Sequence, residues 1–343
     1  MPTVHPGTPV PVSDRRELSA IAYGFMASKA LFAALSVDLF THVEAGRCST
    51  DELSAGTGVA PNRMQTLLHA LAGLGLLVPD GSGYRNAPAC RRYLVAGSPG
   101  DFGDYFRLQV AGQIYPALVH LDDGLAGTGA AFDTLGGLLA EPAQAQTFID
   151  AQHAGSRGAA QVLAGLLDLA DARQLLDVGG GSGAFSIALC ERNPQLQAVV
   201  LDFPAVVDVA RRYRQASAAA DRIELRAGDA VHAAWPPQQD VILLSYLLSA
   251  LGAGEIDAVL DKARSSLRPG GLLVVHDFML DDDRPGPALA ALWFLQYVAY
   301  RGDAVSFSAA ELGSRLRAHG FAEPNGQALI PDITKVLSTR RLP

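Results

Sequence analysis

Short apolar runs alternate with stretches of helical periodicity through the second half of the 343-residue chain. The apolar runs predict strands at 174–178, 198–201, 223–227, 241–244 and 272–276, with a further pair near 328 and at 333–338. Apolar residues at helical spacing predict helices at 183–192, 205–215, 254–266 and 309–319. This alternation is typical of a doubly wound, mostly parallel α/β sheet, which binds ligands at the carboxyl ends of its strands.

The first part of the chain lacks this alternation and predicts helices instead. Apolar residues recur at helical spacing over Leu18–Phe40 with little charge on any face, a pattern typical of a helix covered by another element or another chain. Residues 49–95 indicate a helix, a turn, a second helix and a hairpin. The first helix opens with the N-cap signature Ser49–Glu52, and the second helix and the hairpin fall at 62–77 and 78–84. This order is typical of a winged helix.

Four regions are predicted from these patterns. They are an arm at 1–15, a winged-helix domain at 16–100, a helical linker at 101–170 and the α/β domain at 171–343. The arm is rich in proline and lacks the apolar segment of a signal peptide, so we expect it to be disordered. No uncharged apolar run reaches the roughly 18 residues that a membrane helix needs, so we expect no membrane partner.

The composition restricts the partners that the protein can have. Hydrophobic residues make up 49% and charged residues 18% of the chain, which is typical of a globular protein. The net charge of −8 argues against nucleic acid. The second helix of the winged helix offers only Arg63 near its start, which favours a dimerising role over a transcription regulator. Three scattered cysteines without a CxxC pair indicate a cytoplasmic protein with no metal site.

A glycine-rich turn follows the first strand of the α/β region. Four of the five residues of Gly179–Gly183 are glycine, and a helical pattern begins directly after them. Glycines permit positive φ and close approach of a ligand, and a helix start offers unpaired N–H groups, so a nucleotide-like cofactor is expected. Asp177, Asp202 and Asp229 stand at the ends of three successive strands. An acid about 20 to 25 residues beyond such a turn is placed to accept hydrogen bonds from ribose hydroxyls.

Two cofactor classes fit this turn. Gly179, Gly181 and Ala184 satisfy a loose G-x-G-x-x-[GA] pattern, so a nicotinamide enzyme must be considered. S-adenosylmethionine (SAM) is favoured because Asp177 stands two residues before the first glycine, where a dinucleotide site usually has an apolar residue. An acid at that position suits the ammonium group of SAM. In addition, the turn lacks an arrangement dedicated to a pyrophosphate, and Asp229 is in register for an adenine amino group.

Five short stretches together resemble the SAM-dependent small-molecule methyltransferases that include plant-type and bacterial natural-product O-methyltransferases. They are LDVGGGSG at 176–183, LDFP at 201–204, GD at 228–229, LLSYLL at 243–248 and LRPGG at 267–271. The winged helix also matches, so the resemblance covers about residues 18–340. It implies a class I, Rossmann-like methyltransferase domain, a winged-helix dimerisation domain, an obligate homodimer and a role in secondary metabolism.

The resemblance also implies how the cofactor is held. Asp177 and the glycine turn would hold the methionyl part of SAM, Asp202 the ribose and Asp229 the adenine. The full set of expected cofactor contacts is Asp177, Gly179, Gly181, Gly183, Asp202, Phe203, Asp229, Ala230 and Ser245. A hydrophobic, aromatic acceptor is expected between the helical segment and the strand ends. Its expected walls, which could equally be core residues, are Phe106, Tyr115, Phe148, Trp293, Phe294 and Tyr297.

The resemblance fails at the catalytic base. After the fourth strand the family usually has a histidine followed by aspartate and tryptophan, whereas this chain has Ser249 in that position. Serine is a poor base near neutral pH, so His276 or His153 is expected to take the proton. Alternatively, the acceptor is a carbon, an amine or a readily ionised phenol that needs no strong base. A third reading is an enzyme that retains SAM but performs decarboxylation, hydroxylation or cyclisation.

Overall fold

The computed structural model describes residues 11–81, 83–127, 141–283 and 286–343. Most of the arm predicted to be disordered lies outside these residues, and a helix begins at its last residue, Arg15. The chain divides into two compact units, Pro11–Tyr115 and Pro116–Pro343. The division therefore falls inside the segment predicted as a linker, rather than at residue 100 or 170.

The first unit is mainly helical. Its elements are α1 Arg15–Ala22, α2 Gly24–Ser36, α3 Leu39–Glu44, α4 Thr50–Thr57, α5 Pro61–Gly73, β1 Leu77–Asp80, β2 Gly83–Asn86, α6 Pro88–Tyr93 and a π-helix at Tyr105–Ile114. The predicted helix, turn, helix and hairpin are thus confirmed as α4, α5 and the antiparallel pair β1–β2. A capping box starts α4, in which the Glu52 N–H donates to Ser49 Oγ and the Ser49 N–H donates to the Glu52 carboxylate.

Helices α1 and α2 leave a large apolar surface uncovered within this chain. Their exposed side chains, each at least 56% accessible, are Leu18, Ile21, Tyr23, Phe25 and Met26. Within the described parts of the chain, Arg15–Ser36 is the one helical stretch whose length and composition would suffice to cross a membrane, and 17% of its most apolar window is buried. Lys29 is a charged residue within this stretch.

The second unit contains one seven-stranded sheet in the order β5-β4-β3-β6-β7-β9-β8. The first five strands in this order pair in parallel, and β9 and β8 add an antiparallel edge. The strands are β3 Gln174–Val178, β4 Gln197–Asp202, β5 Ile223–Ala227, β6 Gln239–Ser245, β7 Leu267–Asp277, β8 Asn325–Ile330 and β9 Thr334–Arg340. The predicted doubly wound α/β fold is confirmed, and the order changes direction beside β3, where such sheets bind ligands.

Helices cover both faces of this sheet. They are α7 Tyr115–Ala117, α8 Leu121–Ala126, α9 Pro142–Leu166, α10 Ala184–Arg192, α11 Pro204–Gln215, α12 Ala253–Ser266, α13 Ala288–Val298 and α14 Ala309–Ala318. Neighbouring residues of β3 enter opposite cores: Leu175 packs in the core that includes Phe185, and Leu176 packs in the core that includes Phe321. Burial on both faces explains why the strands read as continuous apolar runs rather than as alternating ones.

Candidate active site

The glycine turn between β3 and α10 has a backbone that only glycine adopts easily. Gly179, Gly181 and Gly183 have φ values of 68°, 57° and 78°, and L residues with a side chain rarely take such angles. A Cβ atom at Gly180 would lie 2.8 Å from the carboxyl carbon of Asp177. The turn therefore lies directly over the Asp177 carboxylate, with its main chain open to a ligand.

Asp177 ends β3 under this turn and is fully buried. The Ser186 hydroxyl donates to Asp177 Oδ2 at 2.7 Å, whereas Oδ1 has no hydrogen-bonding partner among the described residues. A buried acceptor without a donor costs free energy unless a ligand satisfies it. This oxygen is therefore the clearest mark of a binding site at the strand edge.

The other two strand-end acids hold backbone turns. The N–H groups of Gly181 and Phe203 donate to the two carboxylate oxygens of Asp202, at 2.7 and 2.8 Å. Asp229 accepts the N–H groups of Val231 and His232 at 2.7 and 2.8 Å, so Asp229 shapes the loop that carries the predicted contact Ala230. Each oxygen of Asp202 has a second lone pair that could accept from a ligand hydroxyl group. At Asp229 both N–H groups donate to Oδ1, so Oδ2 is the oxygen that could accept from a ligand amino group.

The acids influence one another electrostatically. Burial, with a smaller contribution from the nearby charge of Asp202, raises the pKa of Asp177 to about 7. Burial likewise raises the pKa of Asp202 to about 6, with a smaller contribution from Asp229. A cationic ligand would relieve this repulsion. SAM, which carries a sulfonium and an ammonium group, fits a cradle of this charge and backbone geometry.

His153, one of the predicted bases, lies on α9 beside the turn. Its Nδ1 is 2.8 Å from the Ser182 Oγ, and its ring stacks on Tyr213 with a centroid distance of 3.8 Å. Burial, together with the charge of Arg157, lowers the pKa of His153 to about 4. This histidine is neutral near pH 7 and connects α9 to the glycine turn.

The surroundings of His276 do not favour the role of base that the sequence suggested for it. The side chain is fully buried, with Nδ1 2.9 Å from Ser245 Oγ and Nε2 3.0 Å from Thr334 Oγ1. Burial lowers the pKa of His276 to about 3. Both ring nitrogens thus have a neighbouring hydroxyl, and one of these is the hydroxyl of Ser245, a predicted cofactor contact.

Ser249 lies in a single 3₁₀ turn, Leu248–Ala250, after β6. Its N–H donates to Asp277 Oδ2 at 2.9 Å. Its buried hydroxyl lies beside Asp277 and Tyr297 but makes no hydrogen bond of good geometry with the described residues. Asp277 is the last residue of β7, as Asp202 is the last residue of β4. The sequence analysis gave it no role of its own, although it directly follows the candidate base His276. The same strand-end rule could have found it.

A second residue that the sequence analysis missed fixes this turn. Arg301 donates from Nη1 to the carbonyl of Ala250 at 2.7 Å and pairs through Nη2 with Glu255 at 2.6 Å. Its Nε pairs with Asp303 at 2.6 Å. Glu255 in turn accepts the N–H of Gly252 at 2.9 Å. The guanidinium thus holds the carboxyl end of the segment that follows β6.

The residues predicted as acceptor walls are divided between the two units. Phe106 and Tyr115 belong to the first unit, where they pack on Phe102 and Phe32. In the second unit, Phe148 packs beside Phe203, and Phe294 is a core residue against Phe307. Trp293 and Tyr297 lie on α13 near Ser249, where Trp293 stacks on Phe278 with a centroid distance of 4.1 Å.

The parallel sheet, the glycine cradle and the strand-end acids together define a SAM-dependent transferase domain. A family model described as an O-methyltransferase domain matches residues 129–322, and a model described as an O-methyltransferase dimerisation domain matches residues 19–96. The chain belongs to this O-methyltransferase family and is a SAM-dependent methyltransferase.

Individual relatives agree with this assignment. The chain is 29% identical to the tetracenomycin polyketide synthesis 8-O-methyl transferase TcmO of Streptomyces glaucescens, over 90% of this chain and 91% of that one. It is also 29% identical to the 3-hydroxy-5-methyl-1-naphthoate 3-O-methyltransferase of Streptomyces sahachiroi, over 95% and 97%. In fold it resembles human N-acetylserotonin methyltransferase in complex with SAM, with a TM-score of 0.85, 22% identity and coverage of 97% and 100%.

The raised pKa of Asp177 predicts a pH-dependent effect of the substitution Asp177→Asn. Between about pH 4 and 7 the unfolded chain ionises this group while the folded chain keeps its proton, so the wild type loses stability as pH rises through that window. The ligand-free variant should therefore gain melting temperature relative to wild type, more at pH 8 than at pH 5. His153 and His276, whose pKa values are lowered, act in the opposite direction in both proteins, so only the difference between the two proteins is informative.

Thermal melts of both proteins at matched ionic strength measure this difference. A difference that is the same at pH 5 and pH 8, or that is larger at pH 5, would contradict the raised pKa.

Proposed function

We propose that this enzyme methylates a hydroxyl group on a hydrophobic, aromatic small molecule in a natural-product pathway. The observation that carries the proposal is the glycine cradle over Asp177, whose unpartnered oxygen and charge suit a cationic donor. Two relatives that match over 90% or more of this chain are named for a polyketide and for a naphthoate, and both are named as O-methyltransferases. An enzyme that retains SAM without methylating is not favoured, because these relatives are methyltransferases.

The residues of the cradle would bind and orient the donor. SAM, when bound, supplies a methyl group on sulfur that is already reactive toward oxygen. Asp177 would accept hydrogen bonds from the ammonium group, and Asp202 and Asp229 would fix the ribose and the adenine through their free lone pairs. In methyl transfer the acceptor oxygen must approach the methyl carbon in line with the bond to sulfur. A site that holds donor and acceptor in this alignment therefore accounts for much of the rate enhancement.

The acceptor would lie against aromatic side chains at the carboxyl ends of β6 and β7. Tyr246 and Phe278 have ring centroids 5.6 Å apart, and Trp293 stacks on Phe278. Trp293 Nε1 is buried without a hydrogen-bonding partner among the described residues. An aromatic acceptor with one or two polar substituents matches such a surface, since flat rings stack on it and the indole N–H donates to an oxygen.

We further propose that the protein is a cytoplasmic homodimer formed through its first unit. The apolar side chains exposed on α1 and α2 belong to the region that matches the dimerisation domain. A second copy that covers them would remove them from water and stabilise the pair by roughly 25 cal/mol per Å² of apolar surface. All three cysteines are free thiols, which is typical of a reducing compartment.

Methyl transfer tests the enzymatic proposal directly. Purified protein incubated with methyl-labelled SAM and a panel of phenolic naphthoates and polycyclic ketides should yield a product that is heavier by one labelled methyl group, identified by mass spectrometry. The variant Gly181→Val should bind no SAM, because valine disfavours φ near 57°. SAM at one hundred times its Kd should stabilise wild type by about 2.7 kcal/mol, and no thermal shift with either SAM or S-adenosylhomocysteine would refute the donor site.

The proposed dimer can be tested separately. The double substitution Ile21→Glu and Phe25→Glu places charges on the exposed apolar face and should convert a dimer to a monomer, because burying unpaired carboxylates is costly. Gln65→Glu, on the exposed surface of α5, should leave the dimer intact. Sedimentation velocity of the three proteins at equal concentration measures this. A wild-type monomer, or a double variant that still forms dimers, would rule out this interface.

A further inference from the structure

The turn after β6 holds a buried hydroxyl that makes no hydrogen bond of good geometry with the described residues. Ser249 is 1% exposed, and its Oγ lies beside the Asp277 carboxylate and the Tyr297 phenol without being well aligned to either. An unsatisfied buried hydroxyl destabilises a fold, and alanine would avoid the cost at this position. A polar group kept there at such a cost is best explained by a ligand that it contacts.

Asp277 lies directly behind this hydroxyl. One carboxylate oxygen accepts the Ser249 N–H and the other accepts the Phe278 N–H, both at 2.9 Å. In β9, the residue paired with Asp277 is Lys335, but the Lys335 ammonium contacts Asp281 at 2.8 Å. Among the residues that the structure describes, Asp277 has no ion pair, so its carboxylate is not neutralised by a cation.

Tyr297 faces the same carboxylate from α13. Burial and the charge of Asp277 hold the pKa of Tyr297 above its ordinary value, so the phenol stays protonated. Burial also raises the pKa of Asp277 to about 6. This pKa is closer to neutral pH than that of an exposed carboxylate, so Asp277 is a better proton acceptor. His276, the neighbour of Asp277 in β7, is neutral, and its two ring nitrogens contact the hydroxyls of Ser245 and Thr334.

We propose that Ser249 and Asp277 act together as the base of this enzyme: the Ser249 hydroxyl contacts the hydroxyl group of the acceptor, and Asp277 takes the proton through it. This inference rests on the proposed O-methylation. As the new O–CH₃ bond forms, the S–CH₃ bond breaks and its electron pair remains on sulfur. Before this displacement, the acceptor proton moves to Ser249 Oγ while the proton of Ser249 moves to Asp277, so that the acceptor is bound as its oxyanion. Asp277 returns the proton to water after product release.

Arg301 supports this role as a positioning residue. Its bonds to the Ala250 carbonyl and to Glu255, which accepts the Gly252 N–H, fix the backbone on the carboxyl side of Ser249. The Ser249 N–H bond to Asp277 fixes the other side. A serine on a turn held at both ends keeps its hydroxyl between carboxylate and acceptor, which a relay requires.

Three variants test the proposal. Ser249→Ala removes a hydroxyl that makes no hydrogen bond of good geometry with the described residues, so it should fold like wild type even if Asp277→Asn does not. Asp283→Asn changes an exposed carboxyl six residues along the chain and serves as the matched control. The probe is a naphthol that wild type methylates, whose absorption spectrum distinguishes the neutral from the ionised ring. It is bound in complex with S-adenosylhomocysteine, which has no methyl group to transfer.

The first readout is the spectrum of the bound probe. Wild type and Asp283→Asn should hold the naphthol ionised at pH 7.5, whereas Ser249→Ala and Asp277→Asn should hold it neutral. The second is kcat, which should rise through about pH 6 in wild type. It should fall about 10²-fold or more in both site variants with little change in the KM for SAM. Binding of S-adenosylhomocysteine should be unchanged in all four proteins.

Either of two results would overturn the proposal. One is a neutral naphthol in the wild-type complex, and the other is a Ser249→Ala variant whose probe spectrum and kcat equal those of wild type. Failure of wild type to methylate any naphthol is a different result: it contradicts the proposed acceptor class and with it the ground for this inference, and the unchanged thermal shift with SAM identifies that case.

Discussion

The burial of the Asp177 carboxylate beneath the glycine turn is the constraint on which the α/β unit depends. The acid ends β3 without access to water, it has a single hydroxyl donor, and the charge of Asp202 acts on it. Gly180 can lie over this carboxyl group because it has no Cβ atom, which would come too close to the group. The main-chain bond from Gly181 to Asp202 then fixes the turn against the next strand. A ligand that neutralises this edge relieves a cost that the empty fold must carry.

Much of this arrangement follows from short-range patterns in the sequence. Short apolar runs, a cluster of glycines and acids at strand ends are local signals, and parallel strands bring their carboxyl ends to one edge by topology alone. The capping box of α4 could also be predicted from the sequence, because its partners Ser49 and Glu52 lie within four residues of each other. The doubly wound α/β fold and the position of the cradle could therefore be predicted from the sequence.

The chemistry of the acceptor side was less accessible because it depends on distant contacts. His276 lies one residue before the end of its strand, as Asp177 does. Its Nε2, however, contacts the hydroxyl of Thr334 in β9, which lies 58 residues later in the chain. Arg301 donates to the carbonyl of Ala250, 51 residues earlier in the chain, and no pattern in the neighbouring sequence predicts that contact. Phe294 could be a pocket wall or a core residue until its packing on Phe307 is known. The absence of the usual histidine was visible at once, whereas the neighbours of Ser249 were not.

The two sides of the site thus divide the function. The cradle selects the donor by charge and backbone shape, and the segment after β6, held by Arg301, presents the groups that meet the acceptor. The most direct measurement is a crystal structure of the protein with S-adenosylhomocysteine. We predict that its ammonium group contacts the unpartnered oxygen of Asp177, that its ribose contacts Asp202, and that its sulfur faces the Ser249 turn. A ligand bound away from the glycine turn, or a sulfur turned away from Ser249, would contradict this account.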